Sequence, residues 1–118
     1  MSRARREAWG RLAETLAAFS LRLRGYRVIA RRFRTPLGEI DLIVRRGRLL
    51  AFVEVKARID RGQALEALGS RQRERTERSA QLFLALHPRY RDPDLRFDVV
   101  AERPWRLPHH LADAWRPG

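Results

Sequence analysis

Three residues of the types that catalyse phosphate chemistry stand in two neighbouring apolar segments. Asp41 lies in Gly-Glu-Ile-Asp-Leu-Ile, and Glu54 and Lys56 lie in the later segment Phe-Val-Glu-Val-Lys-Ala-Arg. Carboxylate oxygens are the ligands that Mg²⁺ and Mn²⁺ prefer. A nearby lysine can orient a water molecule or stabilise negative charge on a phosphate. These residues predict a metal-dependent site for phosphodiester hydrolysis in which all three are catalytic.

Two predicted β-strands position these residues. Both segments are rich in β-branched and apolar residues, and a glycine-centred break separates them. A two-residue loop at 47–48 fits a type II′ turn, which needs glycine first. That register places Asp41 opposite Glu54 and Glu39 opposite Lys56, whereas a loop one residue earlier places Glu39 opposite Glu54. Because side chains alternate along a strand, both registers gather the carboxylates and the lysine on one face.

The charges on this face need a partner. Like charges opposed across two strands destabilise a sheet, so a divalent cation between Asp41 and Glu54 would remove the conflict. Lys56 is the only lysine of the chain, and every other basic residue among the 26 is an arginine. Lysine is a compact point charge, whereas arginine is a planar fork. The position of the one lysine therefore favours a specific chemical role for Lys56.

Residues 4–24 predict a helix that carries one more carboxylate. Its expected core stripe follows helical spacing and consists of Trp9, Leu12, Leu16, Phe19 and Leu23. Glu14 lies on a second stripe with the small or apolar residues Gly10, Ala17 and Leu21. A carboxylate there is either paired with an arginine or directed at a metal, and the residues leave both alternatives open.

Arginines flank the predicted site. Three of them lie in or just after a strand predicted at 26–33, where they either contact phosphate or guard a solvated edge strand. Three more share one face of a helix predicted at 70–87, with Ser70 as N-cap, and that face either reads a phosphate backbone or is simply solvated. The candidate nucleic-acid-binding residues are Arg31, Arg32, Arg34, Arg58, Arg71, Arg75 and Arg78.

The overall charge indicates a polyanionic partner. The chain has 118 residues and a formal net charge of +12, which fits one domain with a strongly basic surface. We expect nucleic acid, and DNA first, as the partner, with an anionic membrane surface as the weaker alternative.

The residues that are absent exclude several classes of protein. The chain has no cysteine, which excludes disulfides, thiol catalysis and cysteine-zinc sites and fits a reducing, cytoplasmic location. Its basic start runs into a charged helix rather than an apolar signal-peptide core. No segment approaches the roughly 20 apolar residues of a membrane span, so no membrane insertion is expected.

The remaining segments predict an α/β fold. A strand is expected at 95–101 and a short closing helix at 111–115. Asp98 is expected to pair with an arginine, and His109 and His110 are expected on the surface. The order helix, three strands, helix, strand, short helix predicts a central mixed β-sheet flanked by helices, in one domain that spans residues 1–118.

Several motifs together resemble one known family. They are Gly38–Ile43, Phe52–Arg58, Gly10 with Glu14 in the first helix, Gly25-Tyr26, and Arg-Phe-Asp-Val-Val at 96–100. On these motifs the chain resembles the bacterial YraN-like family of uncharacterised proteins. That family in turn resembles the PD-(D/E)xK nuclease superfamily, and in particular archaeal Holliday-junction resolvases. The resemblance covers most of the chain.

The resemblance implies a restriction-endonuclease-like fold and a Mg²⁺- or Mn²⁺-dependent endonuclease that acts on DNA, with branched or junction DNA among its substrates. Lys56 would be the catalytic lysine and Glu39 an auxiliary acid. The implied metal ligands are Asp41, Glu54 and Glu14, and the hypothesis of a metal-dependent phosphodiesterase adds the Val55 carbonyl to them. One departure concerns the long helix, where family members usually carry a lysine near the start and this chain has Gln72 between two arginines.

Two other functions stay open from the sequence. One is a nucleic-acid-binding protein that keeps the nuclease-like fold without catalysis, because fold alone does not establish chemistry. The other is a protein-interaction subunit. A homodimer is compatible with the interaction subunit and with a nuclease, since branched DNA would suit a particle with two-fold symmetry and two sites.

Overall fold

The molecule is built on one five-stranded sheet with two long helices. The computed structural model describes residues 2–57, 68–90, 92–103 and 105–117. The helices are α1 (Arg3–Leu23) and α2 (Ser70–Leu86), and the strands are β1 (Arg27–Thr35), β2 (Gly38–Arg46), β3 (Leu49–Ala57), β4 (Asp94–Glu102) and β5 (His109–Trp115).

The strands lie in the order β1-β2-β3-β4-β5, so the sheet follows the chain. β3 and β4 run parallel, and the other neighbours are antiparallel. A parallel pair needs a crossover connection, and α2 lies in the connection between β3 and β4. The predicted α/β fold with a mixed sheet and flanking helices is confirmed, and it is consistent with a restriction-endonuclease-like architecture.

Each face of the sheet has its own apolar core. On the face that we call the α2 face, Ala80 and Phe83 of α2 pack with Ile43, Phe52, Phe97 and Val99. On the opposite face, the α1 face, Ala17, Ala18 and Leu21 of α1 pack with Leu42, Val44, Ala51 and Val53. Because β2 and β3 supply both cores, these two strands are held from both sides.

The hairpin between β2 and β3 has the predicted two-residue loop. Arg46 pairs with Leu49, which leaves Gly47 and Arg48 as the loop. Gly47 has a positive φ of 62°, and Arg48 is not among the residues with positive φ, as a type II′ turn requires. The first of the two predicted registers is therefore the observed one.

The predicted core stripe of α1 is wrong. Leu12, Leu16, Phe19 and Leu23 are exposed, whereas Ala13, Ala17, Ala18 and Leu21 are buried. Small side chains let the helix backbone approach the sheet closely, and the strands already supply the large residues on that face. The second stripe, which carries Glu14, is thus the one that packs against the sheet.

The predicted closing helix is also wrong, because residues 109–115 form the edge strand β5. Val99 pairs with Leu111, and Trp115 lies against Phe97 with ring centroids 5.1 Å apart. The expectation that Trp115 covers the core is correct. Short apolar segments do not distinguish a helix from a strand without the neighbouring strand, and β4 supplies that neighbour here.

A buried polar network holds β5 to β4. Asp98 pairs with Arg96 at 2.7 Å, as expected, and also with His110 Nε2 at 2.7 Å. Burial raises the pKa of Asp98, but hydrogen bonds from His110 and Arg96 outweigh that effect and lower it. The expectation of a surface position is wrong for His110, because this bond draws its ring into the molecule.

The start of α2 differs from its prediction. The N-cap of α2 is Gly69 rather than the predicted Ser70, and it makes no side-chain capping bond. Neither helix, over the residues that the structure describes, is long and apolar enough to cross a membrane.

Candidate functional site

The pairing between β2 and β3 ends where the candidate residues begin. Registered pairs run from the turn to Leu42 and Val53. The next two residues in that register are Asp41 and Glu54. Asp41 Oδ2 accepts a hydrogen bond from the Val55 amide at 2.8 Å, so a side chain takes the place of a backbone acceptor. The strands therefore hold both carboxyl groups at the end of a paired hairpin.

Glu54 is buried on the α2 face, with only 4% of its surface exposed. Its carboxyl group accepts a hydrogen bond from Thr76 Oγ1 at 3.4 Å and one from Gln72 Nε2 at 3.3 Å. Burial raises the pKa of Glu54 to about 8, and the negative charge of Asp41 adds to this rise. Burial therefore favours the protonated form of Glu54.

Asp41 shares this conflict. Burial raises its pKa, the Val55 amide opposes the rise, and the charges of Glu14 and Glu39 reinforce it. The two carboxyl groups also influence each other, since the negative charge of Asp41 contributes to the raised pKa of Glu54. A hard divalent cation would neutralise two carboxylates that repel each other where little water reaches them.

Gln72 connects the lysine to the carboxyl pair. Its Oε1 accepts a hydrogen bond from Lys56 Nζ at 3.3 Å, while its Nε2 donates to Glu54. The ammonium group of Lys56 is thus fixed beside the carboxyl groups on the α2 face. The Gln72 side chain therefore links Lys56 to Glu54.

Sequence reasoning did not identify Gln72 and Thr76 as site residues. A signal was present, because Gln72, Thr76 and Ser79 form an uncharged polar stripe at i, i+4 and i+7 within an otherwise charged half-helix. Thr76 and Ser79 are buried, although this half of α2 has no strongly apolar residue. Such a stripe indicates that the helix lies against other polar groups.

Glu14 forms the ion pair that was one of its two predicted alternatives. Arg32 Nε donates to both carboxylate oxygens, at 3.0 and 3.2 Å. Arg32 has a positive φ of 50° and lies between the registered pairs that flank Asp41. Glu14 is therefore close enough to influence Asp41 but is occupied by an arginine.

Few acidic side chains near Asp41 and Glu54 are therefore available to bind a metal. Glu39 lies near Arg34, with 3.7 Å between Nε and Oε2, and is half-exposed. Across the residues that the structure describes, no three Asp, Glu or His side chains are grouped closely enough to hold a metal. A cation between Asp41 and Glu54 would thus take its other ligands from water and substrate, a common arrangement for Mg²⁺. The contact recorded for Val55 is through its amide, and a ligand role for its carbonyl stays a prediction.

The predicted phosphate-binding arginines fall into three groups. Those of β1 lie on an edge strand, where Arg31 donates to Thr15 Oγ1 at 3.0 Å and the other two face Glu14 and Glu39. Those of α2 are exposed on the helix that also supplies Gln72, and they are Arg71, Arg75 and Arg78. Arg58 lies outside the described residues.

Comparison with known proteins assigns the chain to a family. The pattern of the uncharacterised protein family UPF0102 matches residues 13–101. A UPF0102 protein of Parvibaculum lavamentivorans is 62% identical over 108 residues, which cover 92% of this chain and 81% of that protein.

Two further relatives agree with this result. A UPF0102 protein of Paramagnetospirillum magneticum is 50% identical over 111 residues, which cover 91% of this chain and 86% of the relative. Another, from Chelativorans sp., is 50% identical over 115 residues, which cover 98% and 93% of the two chains. The match spans both the first helix and the hairpin with its carboxyl pair, and the chain therefore belongs to the UPF0102 family, which is the YraN-like family.

Proposed function

We propose that the protein is a Mg²⁺- or Mn²⁺-dependent endonuclease that hydrolyses phosphodiester bonds in DNA. One observation carries the proposal: Asp41 and Glu54 meet at the end of the β2–β3 pairing with Lys56 held beside them. Burial raises the pKa of both carboxyl groups, so two negative charges here are unfavourable without a cation. Strongly perturbed pKa values cluster at functional sites.

The side chains of the site have distinct roles in this proposal. Asp41 and Glu54 would hold the ion, which lowers the pKa of a bound water and stabilises charge on the phosphate. Lys56 would orient the attacking water and stabilise negative charge in the transition state. Gln72 would keep the Lys56 ammonium in place, through the contact at 3.3 Å. Thr76 would keep Glu54 directed at the site.

The positive charge of the protein favours a nucleic-acid substrate. The net charge of +12 and the exposed arginines of α2 favour a polyanion that lies along this helix and reaches the carboxyl pair. Contacts of this kind are to the backbone and do not read sequence. Branched or junction DNA is the substrate that the resemblance favours.

A cleavage panel tests the proposal. Purified protein is incubated with junction, flap and linear DNA in Mg²⁺ or Mn²⁺, beside Asp41→Ala and Lys56→Ala. We expect both variants to lose about 100-fold or more in rate, because each removes a group that acts in the transition state. Lys56→Ala should still bind DNA within a few-fold of the wild type. Wild-type cleavage no faster than that of Asp41→Ala would contradict the proposal.

Two matched substitutions refine the panel. Gln72→Leu should slow cleavage by about 10-fold or more, as loss of a group that orients an active-site residue typically does. Gln81→Leu changes an exposed glutamine of the same helix and should leave the rate unchanged. Equal cleavage rates for the two variants would contradict a positioning role for Gln72.

A second candidate is nucleic-acid binding without hydrolysis. The specific observation in its favour is the Arg32–Glu14 pair, which occupies the acid that the resemblance implies as a further metal ligand. This function predicts salt-dependent DNA binding that Glu54→Gln leaves unchanged and no turnover with either metal. Calorimetric titration with Mn²⁺ alone separates the two candidates further, since only the nuclease requires a cation at Asp41 and Glu54.

A further inference from the structure

The outer face of α1 exposes a row of large apolar residues. Leu12, Leu16, Phe19 and Leu23 are 49%, 38%, 58% and 73% exposed, although α1 buries its opposite face against the sheet. Large contiguous apolar patches are rare on monomeric proteins and usually mark a contact surface. We call the row formed by Trp9, Leu12, Leu16, Phe19 and Leu23 the outer stripe.

The N-terminal half of the outer stripe is one wall of a groove. Trp9, Leu12 and Leu16 face the segment between β4 and β5, and the groove has a volume of about 570 Å³. From that segment Trp105 and Leu107 project almost fully into solvent beside the groove. The C-terminal half, with Phe19 and Leu23, has no such wall and stands out from the surface.

The spacing of the outer stripe is that of a helix–helix seam. Its residues are separated by three and four positions in alternation, which is the pattern of a coiled-coil interface. The positions that flank the seam are mostly small and uncharged, namely Ala8, Ala13, Thr15 and Ser20, with Arg22 at one end. Along the helix itself, two copies of a chain with a net charge of +12 would thus bring few charges together, while Arg103 and Arg106 line the groove beside Trp9 and Leu12.

A groove at one end of the stripe and a ridge at the other make the surface complementary to itself. In an antiparallel pair, Phe19 and Leu23 of one copy meet the groove beside Trp9 and Leu12 of the other, and the reverse contact forms at the same time. Such reciprocal contacts define a two-fold interface. The helix dipoles are also opposed in this arrangement, which is the favourable orientation.

We propose that the outer stripe pairs with the outer stripe of a second copy of this chain, antiparallel, with the two-fold axis near Leu16. The outer stripe, from Trp9 to Leu23, is about 21 Å long at about 1.5 Å per residue. Together with Trp105 and Leu107, which project beside it, the stripe gives each copy an apolar face for the other.

The mass of the particle tests the pairing. Sedimentation of the wild type should give twice 13.9 kDa, and Leu16→Glu should give a single chain with unchanged circular dichroism. Leu86→Glu is the matched control, because Leu86 is 60% exposed at the end of α2 and lies outside the stripe. A monomeric wild type would overturn the proposal and leave the stripe to a different partner protein. A Leu16→Glu variant that stays dimeric would also overturn it.

Crosslinking tests the orientation and does not depend on the charged variant folding. The chain has no cysteine, so Leu16→Cys and Leu23→Cys each introduce a single thiol. Near the axis, two Cα atoms of packed helices come within the reach of a disulfide, so oxidised Leu16→Cys should form a covalent dimer. The two Leu23 positions would lie about 21 Å apart along the axis and should not crosslink. Crosslinking at residue 23 but not at 16 would overturn the arrangement. These readings do not involve cleavage, so they stand or fall separately from the nuclease proposal.

Discussion

Two neighbouring carboxyl groups in this protein have raised pKa values, which disfavours a negative charge on both at once. Glu54 is almost fully buried, and Asp41 lies beside it at the end of the β2–β3 pairing. The pKa of Glu54 is raised to about 8, first by burial and then by the charge of Asp41. A third buried acid, Glu102, has a pKa raised to about 7 by burial, and its carboxyl oxygens have no hydrogen-bond partner in the described structure.

These acids predict how stability changes with pH when metal is removed. A folded-state pKa above the unfolded value means that the folded protein binds more protons, so stability falls as pH rises. In EDTA, we expect Tm to fall between about pH 4.5 and pH 8, the range set by Glu54. Glu54→Gln should make Tm depend less on pH in the upper part of this range. It should also raise Tm at pH 9 by about 4 °C or more, which corresponds to roughly 1 kcal/mol.

The control for this prediction is Glu102→Gln, which removes a buried carboxyl group away from the proposed ion. It should also raise Tm at high pH, because Glu102 contributes to the fall up to about pH 7. At pH 8, Mn²⁺ should raise Tm of the wild type and of Glu102→Gln, but not of Glu54→Gln. The same Mn²⁺ response in all three proteins would argue against a cation at Glu54.

The sequence predicts single residues well where the contacts are local. Asp41, Glu54 and Lys56 meet because a two-residue turn sets the register of one hairpin. The turn and the register can both be predicted from residues that are adjacent in the sequence. Gln72 and Glu102 could not be placed in this way. Their environment depends on how α2 and β4 pack against β3, which no local pattern contains.

Among the elements, α1 shows that a helical pattern does not decide which of two apolar stripes packs against the sheet. The helix has two apolar stripes, one large and one small, and hydrophobicity alone favours the large stripe as the core. The small stripe faces the sheet because Ala13 and Ala17 permit close approach. In β5 the missing information is the partner strand, since His110 pairs with Val100 of β4 and bonds to Asp98 of the same strand.

The contact between the β1–β2 turn and α2 predicts a contrast between two glycines. A Cβ at Gly38 would lie 3.0 Å from Arg75 Cβ and 3.3 Å from Ser79 Oγ, so α2 would have to shift by a few tenths of an ångström, and the φ of +156° at Gly38 is one that other residues rarely adopt. Gly38→Ala should therefore destabilise the protein by about 1–3 kcal/mol. A Cβ at Gly10 would meet no atom within 4 Å. Gly10→Ala should stabilise α1 by about 0.5–1 kcal/mol.

Chemical denaturation of both variants beside the wild type measures the contrast. Ser79 Oγ also lies 3.1 Å from Thr35 Oγ1, so a shift of α2 would break a second contact with the same turn. A stabilised Gly38→Ala would mean that the turn and α2 are not in close contact.

For the whole molecule, the sequence determines the net charge, and the fold determines which charged side chains are exposed. Composition predicts a basic protein, but only the fold shows that three arginines of β1 contact Glu14, Thr15 and Glu39. It also shows that Arg71, Arg75 and Arg78 of α2 are exposed. Equally, the spacing of the outer stripe is visible in the sequence, and only the fold reveals that it stays uncovered.

This distribution predicts the salt dependence of DNA binding. Each phosphate contact contributes a slope of about −0.9 to the logarithm of affinity against the logarithm of salt concentration. Replacing Arg71, Arg75 and Arg78 by glutamine should therefore reduce the slope by about 2–3. Fluorescence anisotropy with one duplex at several salt concentrations measures it.

A matched change of charge on another element provides the control. Arg3, Arg5 and Arg6 are exposed at the start of α1, so their replacement by glutamine changes the net charge by the same amount. This variant should change the slope by less than about 1. If both variants change the slope equally, binding follows net charge rather than the face of α2.

The end of the β2–β3 pairing also gives the molecule a spectroscopic reporter. The Val55 amide is bonded to the Asp41 carboxylate at 2.8 Å rather than to a peptide carbonyl of β2. Its nitrogen and proton resonances therefore depend on the charge of one side chain, and its exchange with deuterium depends on whether that side chain stays in place. Protonation, cation binding and substrate binding at Asp41 would each leave a separate signature on this one amide, in a strand whose neighbouring amides are held by the sheet.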